Sequence, residues 1–286
     1  MNAVLEILQN SATVFYLAVA LLSLCVGSFL NVVIYRLPKI MQQEWQQECH
    51  FYLHPEQPLP EQSKYTLSTP ASTCPQCQHK IRWYENIPLV SWLVLRAKCS
   101  QCQNPISIRY PLVELGTMLC SLLVAYTFGA TLETAFGLVF TWMLIALTGI
   151  DFDTQLLPDR LTYPLIGLGL AINSYGLFIS PTQAIWGCLI GFLSLWSVYI
   201  VFKLVTGKEG MGYGDFKLLA ALGAWMGVMQ LPLIILLSSL VGAIIGIILL
   251  KITKENKPFA FGPYLAIAGW IAFLWGEHIM KAYLGN

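Results

Sequence analysis

The sequence predicts an all-α polytopic membrane protein of about eight transmembrane helices, with a small cytoplasmic zinc-knuckle insertion. Three observations lead to this fold class. Apolar residues make up 56% of the 286 residues and charged residues only 11%, against roughly 25% charged in a soluble domain. Apolar segments of about 20 residues recur along the chain, and two C-x-x-C pairs fall within its one long polar stretch. Lipid is therefore an expected partner, whereas a net charge of +1 gives no sign of nucleic acid.

Eight apolar segments are candidate membrane helices, because a spanning helix needs about 20 mostly apolar residues. The first lacks the basic n-region of a secretory signal, and positive charge follows it instead, from Arg36 onward. We therefore expect it to be kept as a membrane helix. The sixth is the weakest, since about 15 residues at about 1.5 Å each reach only about 23 Å. The segments are 9–35, 110–128, 134–150, 161–179, 183–202, 216–230, 231–250 and 259–276.

The basic residues predict the orientation of these helices. If the N-terminus is outside and all eight segments cross, fifteen of the sixteen Lys and Arg residues lie inside and only Lys281 lies outside. The positive-inside rule describes this asymmetry. It also supports the short sixth segment, because without it Lys251, Lys254 and Lys257 would fall outside. We expect a multi-pass protein with its N-terminus on the outer, periplasmic side.

Residues 36–109 are the only long polar region, and they hold most of the charge. About seventy residues suffice for a small domain, but a marginal one without a metal or a disulfide. The chain is therefore expected to divide into a first transmembrane helix at 1–35, a cytoplasmic insertion at 36–109 and membrane-embedded helices at 110–286.

Two C-x-x-C pairs in the insertion, separated by 21 residues, predict a structural Zn²⁺ site. Its ligands would be the thiolates of Cys74, Cys77, Cys99 and Cys102. Four thiolates leave no open position for a substrate, so the metal would serve folding. Disulfides or a redox role are the alternatives, and the reducing cytoplasm disfavours stable disulfides.

Two acidic sites at the predicted inner boundary are candidates for catalysis. One holds Asp151, Asp153 and Asp159, and the other is Asp215 in the sequence G-Y-G-D at 212–215. Two carboxylates a few ångströms apart share one proton, so one can activate water while the other polarises a peptide carbonyl. Helix capping would explain each residue equally well. Spacing alone does not choose among the three aspartates of the first site.

Several motifs, in order over nearly the whole chain, resemble those of the bacterial type IV prepilin peptidases, also called leader peptidase/N-methyltransferases. The G-Y-G-D sequence resembles the G-x-G-D signature of intramembrane aspartyl proteases. Besides the paired cysteines, the other matching motifs lie at 27–38, 86–88, 109–111, 151–159 and 261–264.

This resemblance implies an inner-membrane enzyme that cuts the basic leader of type IV prepilins and pseudopilins. It also implies methylation of the new N-terminus by S-adenosylmethionine. The family pattern assigns catalysis to Asp151 and Asp215. A basic leader held in the cytoplasm would place the cleavage site at the same inner boundary. One departure bears on methylation: the family usually has glycine two residues before the third knuckle cysteine, and this chain has Ala97.

The residues that would bind the methyl donor are not identified by the sequence. Glu85 is a candidate to assist removal of the amine proton, although the usual exposure of Glu favours an ordinary surface carboxylate. Two other functions are alternatives: a presenilin-like intramembrane aspartyl protease and a metal transporter. The zinc-knuckle insertion argues against the first. Transport would need ionisable residues near the bilayer midplane, where Glu114 is the main exception to an apolar sequence.

Overall fold

The computed structural model describes residues 10–56, 65–253 and 260–284, and these ranges confirm the all-α prediction. Within them the chain forms no strand, only two isolated bridges, Thr73 with Lys80 and Lys98 with Pro105. Short 3₁₀ turns lie at Trp83–Asn86 and Val228–Gln230. The helices are α1 (Ala12–Leu53), α2 (Val90–Val94), α3 (Arg109–Phe128), α4 (Leu132–Thr154), α5 (Asp159–Asn173), α6 (Pro181–Thr206), α7 (Tyr213–Met226), α8 (Leu231–Thr253) and α9 (Gly262–Leu284).

Five helices within the described ranges are long and apolar enough to cross a membrane, which confirms a multi-pass protein. They are α1, α3, α4, α6 and the segment Val228–Ile248 that covers most of α8. Of the other predicted spans, α5 and α7 have only 15 and 14 residues. α9 has 23 residues, but Pro263 and Glu277 lower its mean hydropathy. The count of eight stays a prediction, and Lys254 and Lys257, which support it, lie outside the described residues.

The chain forms two compact units, Met1–Thr134 and Ala135–Asn286. In the first unit α1 packs along α3 at Gly27, where a Cβ would lie 2.8 Å from the Cα of Glu114. Glycine is therefore required for the two backbones to approach this closely. One turn further on, the Asn31 side-chain amide donates to the carbonyl oxygens of Gly27, at 3.3 Å, and Tyr110, at 3.1 Å. Parts of the motifs at 27–38 and 109–111 thus form one helix–helix contact.

Helix α1 continues beyond residue 35, where the first span was predicted to end. Its 42 residues at about 1.5 Å each give roughly 63 Å, about twice the hydrocarbon thickness of a bilayer. Arg36 is buried on this helix, and its guanidinium donates to the carbonyl oxygens of Thr66 and Leu67 at 3.0 and 3.3 Å. The start of the polar insertion is therefore helical, and Arg36 ties the next described loop to it.

Helix α7 is the centre of the second unit. Eleven of the twelve residues from Asp215 to Met226 are buried, and Lys217 is the exception. Gly223 of α7 and Gly187 of α6 face each other so closely that a Cβ on either would lie 2.1 Å from the other's carbonyl oxygen. On another side Trp225 donates to the Leu165 carbonyl oxygen at 2.9 Å. A helix surrounded by protein can be shorter than a helix surrounded by lipid, which accounts for the weak sixth segment.

Candidate active site and metal centre

Asp151 and Asp215 come from separate helices and meet inside the second unit. Asp151 lies in the last turn of α4, and Asp215 lies in the first turn of α7. The two residues are only 4% and 8% exposed, and their carboxylates are close enough for the charges to interact. The Gly212 backbone hydrogen bonds to the Asp215 carboxylate. The structure thus brings together one candidate from each of the two predicted acidic sites.

The Asp151 carboxylate is held by the start of α9. Gly262 is the first residue of that helix, and its backbone N–H donates to the carboxylate. A Cβ at Gly262 would lie 2.5 Å from Asp151 Oδ2, so only glycine allows this approach. The partial positive charge at a helix N-terminus also favours a carboxylate there. The sequence indicated the motif at 261–264 only by its resemblance to a family motif. The tertiary structure shows that this motif contacts Asp151.

Leu157 packs against both glycines that border the aspartate pair. A Cβ at Gly214 would lie 2.7 Å from the Cβ of Leu157, and one at Gly262 would lie 3.0 Å from its Cδ1. The loop after α4 therefore brings the starts of α7 and α9 against one side chain. Volume added at either glycine would push Leu157 or displace a helix start.

The other two acidic candidates have different surroundings. Asp153 is exposed. Asp159 begins α5 and accepts a hydrogen bond of 2.6 Å from Lys217 Nζ, and this ammonium also lies 4.9 Å from the centre of the Tyr163 ring. Exposed ion pairs contribute at most about 1 kcal/mol, so the Asp159–Lys217 pair is a surface tie between α5 and α7.

The four knuckle cysteines converge as predicted. Their sulfurs all lie within 4.8 Å of one another, with Cys74 Sγ 3.7 Å from Cys102 Sγ and Cys77 Sγ 4.0 Å from Cys99 Sγ. Two Zn–S bonds of about 2.3 Å at a tetrahedral angle place their sulfurs about 3.8 Å apart. The donor set and its spacing therefore fit a tetrahedral metal ion.

The backbone around the cysteines favours thiolates. The pKa of Cys74 falls to about 6 because the backbone N–H groups of Cys77 and Gln76 donate to its sulfur. The Cys102 and Gln101 amides lower the pKa of Cys99 in the same way. For Cys102, the Asn104 amide acts to lower the pKa, but burial and the neighbouring sulfurs raise it to about 12. Four thiols this close cannot all ionise without a cation, which is what a metal supplies.

The two knuckles are copies of one turn. Each begins with a cysteine whose N–H donates five residues ahead, Cys74 to the His79 carbonyl oxygen and Cys99 to that of Asn104, at 2.9 Å in both cases. Each has a glutamine after its second cysteine, and these two, Gln78 and Gln103, share φ values of 57° and 58°. The repeated sequence C-x-Q-C-Q is visible without a structure, although the predicted metal site included only its cysteines.

Ala97 has a left-handed backbone. Its φ is 59°, a conformation that glycine adopts freely and that costs other residues roughly 1–2 kcal/mol. Hydrogen bonds hold it there: its N–H donates to the Trp92 carbonyl oxygen at 2.8 Å, and its own carbonyl oxygen accepts from Ile106 N–H at 2.7 Å. Glycine therefore suits this position in the family that the sequence resembles. This chain has a strained alanine there instead.

The expectation that Glu85 is an ordinary surface carboxylate is wrong. Its side chain is only 8% exposed. The backbone N–H of Arg82 donates to its Oε2 at 2.9 Å, and His79 Nε2 lies 3.3 Å from the same atom. The Arg82 N–H, a hydrogen bond from the Ser100 side chain and the His79 contacts hold the pKa of Glu85 below its ordinary value. Because Ser100 lies in the second knuckle, Glu85 joins the metal centre to the turn at 83–86.

A buried carboxylate, that of Glu114, connects the insertion to α3. Glu114 is 7% exposed, accepts the backbone N–H of Leu89 at 2.8 Å and forms a hydrogen bond with the Ser28 side chain. Leu89 has a φ of 59°, so the carboxylate holds a strained residue in place. These two contacts of Glu114 could not be predicted from the sequence, because they join it to residues 25 and 86 positions away.

The described residues form helices and no strand, several of these helices are apolar enough to span a membrane, and two buried aspartates come from separate helices. This architecture is that of a membrane aspartyl protease. Family models identify it further. Residues 21–128 match the bacterial peptidase A24 N-terminal domain, and residues 138–247 match the type IV leader peptidase family. The chain belongs to the type IV leader peptidase family.

Curated relatives match over nearly their full length. The prepilin leader peptidase/N-methyltransferase of Stutzerimonas stutzeri is 55% identical over 98% of this chain and 97% of its own. Proteins of the same name from Aeromonas hydrophila and Pseudomonas aeruginosa are 54% and 56% identical, over 100% and 98% of this chain and 99% and 97% of their own. No solved structure matches the chain. These comparisons give no support to a presenilin-like protease or a metal transporter.

Proposed function

We propose that this protein cleaves the basic leader of type IV prepilins and pseudopilins and then methylates the new N-terminus with S-adenosylmethionine. The observation that carries the cleavage proposal is the meeting of Asp151 and Asp215, both buried and close enough to interact. The names and the near-complete coverage of the relatives support both activities. The protein would act in the bacterial inner membrane, in contact with lipid.

Asp151 and Asp215 would work as an acid–base pair. Like charges at short range repel, so one carboxylate stays protonated while the other is ionised. The ionised member takes a proton from water as that water attacks the scissile carbonyl carbon, and the protonated member donates to the carbonyl oxygen. The Gly262 N–H would keep Asp151 oriented. At Gly212 a Cβ would meet nothing closer than 3.9 Å, so this glycine leaves room for an extended substrate backbone beside Asp215.

The four cysteines would hold one structural Zn²⁺, with each knuckle turn supplying two thiolates. The ion would supply folding energy to the insertion at 36–109 and take no part in proteolysis. We assign the remaining segments as follows: 1–35 as the first membrane helix and 110–286 as the membrane-embedded protease. The distribution of basic residues favours an N-terminus in the periplasm and aspartates at the cytoplasmic face.

One incubation tests both activities. The full-length protein in detergent or nanodiscs is mixed with a prepilin and S-adenosylmethionine, and the mass of the product's N-terminus is measured over time. We expect loss of the leader followed by a gain of one methylene mass. Uncut prepilin after long incubation would refute the peptidase proposal, and a cut but unmethylated product would refute only the methyltransferase proposal.

A further inference from the structure

A cavity of about 680 Å³ lies beside the metal centre, between the second knuckle and α2. This volume is within the range of small-molecule sites, roughly 300–1,000 Å³. All of its lining residues fall in the segment from His79 to Gln101, so the site belongs entirely to the polar insertion. Neither the aspartate pair nor the metal ligands account for it.

The cavity lining carries charges of both signs, from Arg82 and Glu85. Glu85 is held there by Arg82 N–H, His79 and Ser100, and its side chain is only 8% exposed. The Arg82 guanidinium has five N–H donors, and among the described residues its side chain donates only to the Tyr84 hydroxyl. The cavity thus offers a fixed carboxylate and a guanidinium a few residues apart, the pairing that suits an ammonium and a carboxylate on one ligand.

The rest of the lining includes apolar side chains of α2 and of the residues that flank it. They are Ile87, Val90, Val94 and Leu95, and the first three are 39%, 52% and 74% exposed. Exposed aliphatic side chains around a concave site are suited to a flat heteroaromatic group. Tyr84 also lines the cavity, and its ring face can attract a cation such as a sulfonium.

The lining argues against phosphate-bearing ligands. Nucleotide phosphates require several basic groups or a glycine-rich run of backbone N–H donors, whereas this lining has one guanidinium, that of Arg82, together with the Glu85 carboxylate. A ligand with balanced charges, a cationic centre and a flat ring matches the cavity better. S-adenosylmethionine has all of these features: an amino-acid end, a sulfonium and an adenine.

We propose that this cavity, bounded by Arg82, Tyr84, Glu85 and Val94, binds the methyl donor. The inference rests on the proposed methyltransferase function and assigns it a site. In the transfer, the neutral N-terminal amine attacks the methyl carbon, and the new N–C bond forms as the S–C bond breaks. The electron pair of the broken bond stays on sulfur, which becomes a neutral thioether, and the methylated ammonium releases a proton to solvent.

The cavity also gives the metal centre a connection to the donor. Ser100 and Gln101 are the two residues between Cys99 and Cys102, and both line the cavity. The Ser100 side chain is also hydrogen-bonded to Glu85. A metal that closes the second knuckle would therefore fix part of the cavity wall without contacting the ligand.

Two neighbouring residues of α2 provide a matched test. Val94 and Leu93 are both largely exposed, at 74% and 67%, but only Val94 lines the cavity. Val94→Trp should fill the cavity, and Leu93→Trp should not. A third variant, Arg82→Gln, removes the guanidinium without adding bulk. Donor dissociation constants are measured on the full-length protein by titration with S-adenosylmethionine, together with methylation of a pre-cut pilin, cleavage of prepilin and zinc content.

We expect Val94→Trp and Arg82→Gln to raise the donor dissociation constant at least tenfold, and Leu93→Trp to change it less than twofold. Cleavage and zinc content should match wild type in all three. The assignment would be overturned if both cavity variants kept the wild-type dissociation constant for the donor. It would also be overturned if Leu93→Trp raised that constant as much as the cavity variants do. Either conclusion requires that the wild-type protein still methylates the pre-cut pilin in the same assay. If wild type neither binds the donor nor methylates pre-cut pilin, the methyltransferase function itself fails.

Discussion

The aspartate pair and the cysteine cluster are built in opposite ways. Asp151, Asp215 and Gly262 come from three helices that are far apart in the sequence, and the site exists only when α4, α7 and α9 are packed. The four cysteines lie within one short segment, on two copies of the same turn. The first site depends on helix packing, and the second depends on local backbone geometry and a cation.

The difference reflects the solvent of each region. Between helices in lipid there is little hydrophobic driving force, so close packing of small residues decides how they associate. That is the role of Gly187 and Gly223, which let α6 approach α7, the helix that carries Asp215. In water, a segment as small as the insertion cannot bury enough apolar surface, and a metal can supply the missing free energy. A substitution that disrupts the aspartate pair should therefore leave the cysteine cluster intact, and the reverse should also hold.

The largest effect on one of the two sites alone is expected from Asp151→Asn or Asp215→Asn. Either change removes the acid or the base of the pair, so prepilin cleavage should fall at least about a thousandfold. Methylation of a pre-cut pilin should be spared, because it needs neither carboxylate. Rates are measured by mass spectrometry on cut and uncut substrate.

The matched control is Asp153→Asn, which changes an exposed carboxylate two residues away and should have a much milder effect. If Asp151→Asn or Asp215→Asn cleaved prepilin at nearly the wild-type rate, the residue changed in that variant would have no part in the mechanism. Parallel loss of cleavage and methylation in each variant would mean that the two activities share one site.

A smaller loss should follow from Gly262→Ala. The new Cβ would lie 2.5 Å from Asp151 Oδ2 and would displace the carboxylate. A shift of about 1 Å at a reacting group costs on the order of a hundredfold in rate, so we expect kcat to fall about 10- to 100-fold. Gly167→Ala is the control, because nothing lies within 4 Å of that position. Equal rates in the two variants would show that the Gly262 contact is not needed.

The cysteine cluster is tested by the Cys74→Ser/Cys77→Ser double variant. Removing two of four ligands should abolish the bound zinc, which elemental analysis of freshly reduced protein measures. Methylation should fall at least about tenfold while cleavage changes only a few-fold, since the insertion loosens and the packed helices do not. Cys49→Ser, outside the cluster, should keep one zinc per chain. A wild-type protein without zinc would contradict the prediction.

The smallest effect is expected from Ala97→Gly. Glycine adopts the φ of 59° without strain, so the insertion should gain about 1 kcal/mol of stability, and zinc loss to a chelator should slow about fivefold. Ala71→Gly, in the same insertion but without a positive φ, should bring no gain. Faster zinc loss in Ala97→Gly would show that the strain is offset by contacts of the methyl group.

The sequence could predict features that depend on local structure, as the cysteine cluster does, better than features that depend on helix packing. The cysteine ligands, the helical segments and the G-Y-G-D aspartate were predictable because each depends on residues close together in the chain. The choice of Asp151 over Asp153 and Asp159 came from family resemblance, since all three satisfy the local pattern. The bond from Gly262 to Asp151 could not be predicted, because it joins positions more than a hundred residues apart.

The bond from Leu89 to Glu114 also has a consequence for the order of synthesis. Leu89 leaves the ribosome before Glu114, so its strained backbone has no acceptor until α3 has been made. The knuckles are complete by Cys102 and can take up metal earlier, which makes docking onto α3 the later step of biogenesis. A ribosome-bound chain arrested with α3 still in the exit tunnel should therefore bind zinc, yet be cut near Leu89 by an added protease. Protection should begin once α3 has emerged and entered the membrane, and protection at the shorter length would show that the segment closes without Glu114.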